Sequence, residues 1–285
     1  MEDISLQGIA VEPRITMDNL KMALMSPSGM SKVWVLLEGE ADLKVFGAFF
    51  SEQTVSVKQA MSDTGHGGYK IVEDIVSAVS REFPAAAILG IRDRDYTPYH
   101  NPSYSMPENV FATDRRDLEM MLAERPSVRV QLALKLPGFE TVENKIMPIL
   151  RHMGYSRAYA SCNHRRCQFD DIFKASRIWS DVTHDFHDNW KSYCSTSFQT
   201  HLGVPPDALD SFIAEHHLHE ESKYDICRGH DYVAYLSKAM VKTATYSEGF
   251  IYEVLYTTYS RTDFTQSKLY ASIKAWQQAR GVVVV

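Results

Sequence analysis

Two carboxylates one residue apart, Asp93 and Asp95, end the apolar run 85–91 in the stretch AILGIRDRDYT, with Arg92 and Arg94 interleaved. In an extended segment residues i and i+2 point to one side, so two like charges are forced together unless something positive stands between them. A polar loop is one reading, since Asp is common in turns; a divalent cation is the other. A second acidic pair, Glu38 and Asp42, follows the apolar run 33–37, VWVLL. Four residues is close to one helical turn, so both side chains can face one spot, and Gly39 lets the backbone turn tightly there. Glu119, with Asp117 nearby, lies beyond a third apolar run, 109–113. If these runs are neighbouring strands, up to five carboxylates meet at one edge of a sheet, more bare charge than such a place tolerates. Carboxylates without a thiolate among them suit Mg²⁺ or Mn²⁺.

The elements that must position these acids follow from the pattern. Runs 33–37, 54–57, 85–91 and 109–113 read as strands, the short continuous apolar ones buried on both faces. LKVFGAFF reads as a helix after the first. In 69–83, Ile71, Val72, Ile75, Val76, Val79 and Phe83 recur at spacings of three and four, which predicts an amphipathic helix. A further helix runs through DRRDLEMMLAE. Strands alternating with helices argue for an α/β, mostly parallel sheet covered on both faces, with ligands beyond the carboxyl ends of its strands. Residues 1–30 read as irregular. Beyond Pro137 the segments ENKIMPILRHM, DDIFKASRIWSDV, DALDSFIAEHHLH, HDYVAYLSKAM and KLYASIKAWQQA read as helices. The expected organisation is therefore an α/β domain over 1–130, with its core at 33–125, and a mainly helical domain over 131–285 that binds substrate or partner. The terminal GVVVV is either a packed end strand or a partner contact.

The chain of 285 residues is 45% hydrophobic and 23% charged, which is ordinary for a soluble globular protein. No signal peptide and no membrane-spanning run is expected, and four cysteines in a chain this size read as reduced, hence cytoplasmic. A net charge of −6 is not that of a nucleic-acid binder as a whole. Locally, Arg151, Arg157, Arg165, Arg166, Lys174 and Arg177 face only Asp170 and Asp171 within 151–177, and a phosphate backbone could bind there. An ordinary solvated helix face is the alternative. Cys162, His164 and Cys167 lack the second ligand pair of a zinc site. No phosphate-cradling G-x-x-x-x-G-K-[ST] is present, so no nucleotide cofactor is expected in this chain, and any ATP dependence comes from a partner.

VWVLLEGEAD followed about 55 residues later by AILGIRDRDY resembles the TOPRIM domain of topoisomerases, bacterial primases and OLD-family nucleases. NVFATDRRDLEMML resembles the small TOPRIM effectors encoded beside an ABC-type ATPase in phage-defence operons, the AriB type of PARIS systems. GHGGYKIVEDIV is similar to the loop and helix between the acidic motifs of OLD-type nucleases. The resemblance covers residues 33–125, and CRGHDYVAYL at 227–236 also looks like a family segment. It implies a Rossmann-like TOPRIM sheet followed by an α-helical C-terminal region, and two metal ions. Catalysis would rest on Glu38, Asp93 and Asp95, with Asp42 and Glu119 as further metal ligands. There is no room for topoisomerase gate domains and no strong zinc module of a primase, which leaves a nuclease. The AriB likeness implies tRNA cleavage that halts translation, in a chain held by the ATPase until infection; a homodimer is one form the released chain could take. Arg92, Arg94 and Lys70 could contact substrate phosphates, as could Arg165 and Arg166. His230 and Lys238 could complete the site from the second domain. The rival expectations are a catalytically inactive TOPRIM-like subunit of an ATPase complex and an OLD-like DNA nuclease.

Overall fold

In a computed structural model the described residues are 13–51, 53–100, 104–165, 168–183, 185–240 and 246–285, without the side chains of His100, Asp170 and Asp171. The chain forms β1 (Arg14–Ile15), α1 (Met17–Leu24), β2 (Val33–Leu37), α2 (Glu40–Phe46), β3 (Val55–Ala60), α3 (Tyr69–Glu82), β4 (Ala87–Arg92), β5 (Val110–Ala112) and α4 (Leu118–Ala123). It continues with α5 (Pro126–Lys135), α6 (Phe139–Cys162), β6 (Trp179–Ser180), β7 (Asp185–Phe186), α7 (Trp190–Leu202), α8 (Ala208–Glu215), α9 (Gly229–Met240), α10 (Glu248–Thr258) and α11 (Lys268–Arg280). Shorter helical segments lie between them and carry no number.

The chain divides into two compact units. The first comprises Met1–Arg92, Met106–Phe111 and Ser272–Val285; the second comprises Asp93–Ser105 and Ala112–Ala271. The first unit carries a five-stranded sheet in the order β1-β3-β2-β4-β5, with β1/β3, β2/β3 and β2/β4 parallel. The three runs that precede the acidic motifs are therefore neighbours, as the sequence pattern requires. Every residue of β2 is buried, which is why its sequence is a continuous apolar run rather than an alternation. The apolar stripe of α3 (Val72, Ile75, Val76, Val79) is buried in the same core as Leu36 and Ile88. Gly90 permits close packing there: a Cβ at this position would stand 2.5 Å from Val72 Cγ1. The register pairs Leu37 with Ile91.

Three local expectations are corrected. Residues 13–30 are not irregular, because Thr16 Oγ1 caps α1 by accepting from the Asn19 N–H, and Ser26 caps a helical turn at Pro27–Met30. The segment 170–182 is not one helix: two helical turns, Phe169–Ile172 and Ala175–Ile178, lead into β6, which pairs antiparallel with β7. Trp179 there meets Phe186 edge-on at 5.3 Å, a contact that favours extended backbone. The terminal valines form no strand but pack as an end. Val284 is fully buried, its carbonyl accepts from the Ser51 N–H at 3.3 Å, and Gln277 Oε1 accepts from the Val284 N–H at 2.8 Å.

The second unit is helical. Its longest helix, α6, packs on α9, and its Gly154 lies where a Cβ would come within 2.4 Å of the Ile226 carbonyl. Glu143 of α6 is buried and accepts from both Nη atoms of Arg129 at 2.8 Å, and from Tyr232 Oη at 3.1 Å; Lys223 Nζ stands 2.9 Å away. Burial works to raise its carboxyl pKa, and the bonds from Arg129 and Lys223 outweigh this and hold it below the usual range. Among the described residues no helix is long and apolar enough to cross a membrane, and Cys162, Cys194 and Cys227 are free thiols. Cys167 and His184 lie outside the described residues.

Candidate functional site

In the first unit the chain leaves β2 at Glu38, which is half-buried. Gly39 is the N-cap of α2, and its N–H donates to Asp42 Oδ2 at 2.8 Å. Asp42 is thus buried against the start of its own helix, where an acid is favourable. The loop to α3 turns through Gly65 and Gly68, both at positive φ. It passes close to the backbone of Glu38: a Cβ on Gly67 would lie 3.0 Å from the Glu38 carbonyl oxygen. Lys70 is exposed in the first turn of α3. Arg92 is not: it is 1% exposed, its Nε stands 2.7 Å from Glu73 Oε1, and its guanidinium lies 4.8 Å from the Tyr69 ring. It ties the end of β4 to the first turns of α3 and offers no charge to solvent.

The second unit gathers its acids around the first turn of α4. Asp93 Oδ1 accepts from the Leu118 N–H at 3.0 Å. Asp117 caps the helix, its Oδ1 accepting from the Met120 N–H at 3.1 Å; its Oδ2 accepts from the Gly229 N–H at 2.8 Å and from Arg116. Glu119, 5% exposed, accepts from Tyr256 Oη at 2.8 Å through Oε1. Burial, and then the charge of Asp117, push the Glu119 carboxyl pKa up, against the opposing pull of His230 and Tyr256. Gly229 opens α9 against this pair: a Cβ there would stand 2.4 Å from Glu119 Cβ, 2.7 Å from Asp117 Oδ1 and 2.8 Å from Glu119 Oε2. His230 is exposed, with Nδ1 2.8 Å from Tyr252 Oη.

Asp95 does not continue the extended line of Asp93. Its φ is +50, a left-handed turn that Asp tolerates, and its N–H donates to the Arg116 carbonyl at 2.7 Å. Arg116 Nη2 stands 3.5 Å from Asp95 Oδ1, over the Tyr96 ring. The repulsion inferred between neighbouring acids is therefore partly met within the chain. Arg94 is also engaged: it and Arg115 donate to the two oxygens of buried Asp225, at 2.6 and 2.8 Å. Lys238 is half-buried in the last turn of α9. In the basic stretch 151–177, Arg151 donates to the carbonyls of His219 and Glu221, and Arg157 forms a two-toothed pair with Asp231. Arg165, Lys174 and Arg177 are exposed, and Arg166 lies outside the described residues. Spacing in the sequence gave no sign of Asp225, Gly229, Tyr252 or Tyr256; the bonds that bring them in span 110 to 137 residues, apart from the local Tyr252–His230 pair.

Among the described residues no three His, Cys, Asp or Glu side chains are grouped to hold a metal ion. Mg²⁺ does not require such a cage: it keeps several waters and takes one or two carboxylates together with substrate phosphates. The chemistry of the donors around α4 fits such an ion. They are carboxylate oxygens, although Arg116 already meets one of them on Asp117. No protein-family model, no curated protein and no solved structure matches the chain.

Proposed function

We propose that the chain is a divalent-metal-dependent nuclease of the TOPRIM type, a toxic defence effector that cleaves tRNA and is held by an ABC-type ATPase until infection. The observation that carries the metal-centre part is the placement of Asp93, Asp117 and Glu119 around the start of α4, two of them buried, where burial first and the charge of Asp117 second push the Glu119 carboxyl pKa up. Bound Mg²⁺ or Mn²⁺ would supply a nucleophilic water at neutral pH and stabilise the leaving oxygen of a phosphodiester. In this reading Asp93, Asp95 and Glu119 are the holding groups of the second unit, while Glu38 and Asp42 of the first are assigned by the resemblance alone. Of the expected phosphate contacts, Lys70 and Arg165 are exposed and able to meet a substrate, while Arg92 and Arg94 are engaged with Glu73 and Asp225. Substrate and partner rest on the resemblance of the acidic motifs alone.

A second reading has its own support. Asp42, Asp93 and Asp117 each use an oxygen on a backbone N–H, which is what acids do in a purely structural role. In that reading the chain is an inactive TOPRIM-like subunit. The deciding experiment incubates the purified chain with total tRNA, and separately with supercoiled plasmid, in Mg²⁺ or Mn²⁺, beside Glu38→Ala and Asp93→Ala. Cleavage of tRNA by the wild type alone supports the proposal. Plasmid nicking instead moves it to DNA. Equal cleavage by folded Glu38→Ala and Asp93→Ala refutes the acidic site.

A further inference from the structure

The polypeptide between α6 and α7 is held to α6 through aromatic side chains, and one histidine links them. Phe169 and Phe173 stack at 5.9 Å. Further along, Phe186 lies 5.3 Å from Trp179 and 6.0 Å from Trp190. His152 of α6 joins the two groups: its ring stands nearly perpendicular to Phe173 at 6.3 Å and to Trp190 at 6.1 Å. Two other side chains of α6 reach the same aromatics as cations, Lys145 at 5.6 Å from the Trp179 ring and Arg157 at 4.4 Å from the Phe169 ring. Each of these has a carboxylate partner, Asp185 for Lys145 and Asp231 for Arg157. His152 differs, because its Nε2 is shut off from solvent with no hydrogen-bond partner.

A neutral imidazole leaves one nitrogen bare, and Nε2 can be that nitrogen while Nδ1 carries the hydrogen. An imidazolium carries hydrogen on both. Proton uptake therefore places a charge, and an N–H without an acceptor, among the rings, which is costly. The charged groups that act on the ring are Asp210 of α8, which favours the imidazolium, and Lys191 of α7, which opposes it. Attraction of a cation to ring faces works with Asp210. Burial outweighs Asp210 and holds the His152 pKa below the ordinary histidine value.

We infer that His152 is an acid-sensitive clip: while neutral it holds the turns Phe169–Ile172 and Ala175–Ile178, with β6 and β7, against α6, and proton uptake releases them. The clip is at full strength above the pKa of the open state, about 6.5. It weakens as pH falls below that value, because the open state then binds the proton more readily than the closed one.

The test follows backbone hydrogen exchange on the full chain at about pH 7.5 and about pH 5.5, corrected for intrinsic rates, beside His152→Phe and His152→Gln, neither of which ionises. In the wild type the opening constant of the two turns and of β6 and β7 should rise by up to about 10-fold at the lower pH, one unit below the open-state pKa. Both variants should show no such rise; if His152→Phe does not fold, His152→Gln carries the comparison. The ring resonances of His152 should titrate with a midpoint below 6.5. An acid-induced rise of equal size in the variants would trace the response to other groups and overturn the inference. So would a wild-type segment that is unchanged or better protected in acid, since the rings and Asp210 would then be holding the imidazolium. A loosening spread evenly over all amides of the chain would be global acid unfolding and would overturn it too.

Discussion

Replacing Gly229 by alanine sets two effects of opposite sign against each other. Gly229 is the first residue of a 12-residue helix, and its φ is not in the left-handed region, so backbone strain does not enter. On helix propensity alone Gly→Ala gains up to about 1 kcal/mol. Against this, the new methyl would stand 2.4 Å from Glu119 Cβ, an atom next to the backbone that cannot swing away, and within 2.8 Å of an oxygen on each of Asp117 and Glu119. Forcing a methyl into a packed site costs about 1–3 kcal/mol. Here relief also requires lengthening the 2.8 Å bond from the Gly229 N–H to buried Asp117, and each such charge-assisted bond is worth about 1.5–3 kcal/mol. The clash wins, with a net loss of about 1–2 kcal/mol once the propensity gain is subtracted. In a chain of this size that lowers the melting temperature by about 2–8 °C. Differential scanning calorimetry on the metal-free protein reads it directly. An alanine variant as stable as the wild type, or more stable, would refute the placement of α9 against the acids of α4.

Three further outcomes are expected. Glu143→Gln should destabilise the protein by about 2–3 kcal/mol at pH 7, the usual 3–5 for breaking a buried pair being discounted because Arg129 and Lys223 remain 27% and 24% exposed. Because the folded-state pKa of Glu143 is depressed, its contribution is present above the unfolded value near 4.5 and is lost as pH falls below it; the gap between wild type and variant in urea unfolding should therefore close in acid, and a gap independent of pH would contradict the ion network. Arg92→Leu should cost about 3–5 kcal/mol because it strands Glu73, whereas Arg92→Leu with Glu73→Leu should recover most of it; additive losses in a double-mutant cycle would speak against the pair. Deleting residues 282–285 removes a fully buried valine and the carbonyl that serves Ser51, and should cost about 1.5–3 kcal/mol by denaturant melting; no change would mean the tail is not packed.

The elements most legible in the sequence were those whose burial is uniform or periodic. β2 and α3 stand within a residue of their expected limits, because five consecutive apolar residues and a clean three-four spacing have few other uses. β3 runs on through Lys58 and Gln59, polar residues that concealed its second half. α7, WKSYCSTSFQTHL, is rich in serine and threonine, and α10, GFIYEVLYTT after its first glutamate, is aromatic and β-branched, so neither carries strong helix propensity; tertiary packing makes them helical. At the site the acids were visible because unusual residue types stood at strand ends. Their partners were not. Interleaving with Asp93 made Arg92 look available for a phosphate, yet as the last residue of β4 it turns into the fold toward Glu73. Tyr256 carries no local mark, and Gly229 is marked only by lying in the segment 227–236 that resembles the family, since the contacts of both exist only after folding.

The first unit begins with the chain's earliest described strand and includes Ser272–Val285, with Thr54 and Val283 joined across 229 residues and Arg280 reaching the Ala86 carbonyl across 194. All five strands lie within residues 14–112, so the sheet can pair early, but the flank covered by residues 272–285 stays open until everything between has been translated. Closing contacts of such sequence separation slows folding, and the helical second unit, drawn from one nearly continuous stretch, can compact first.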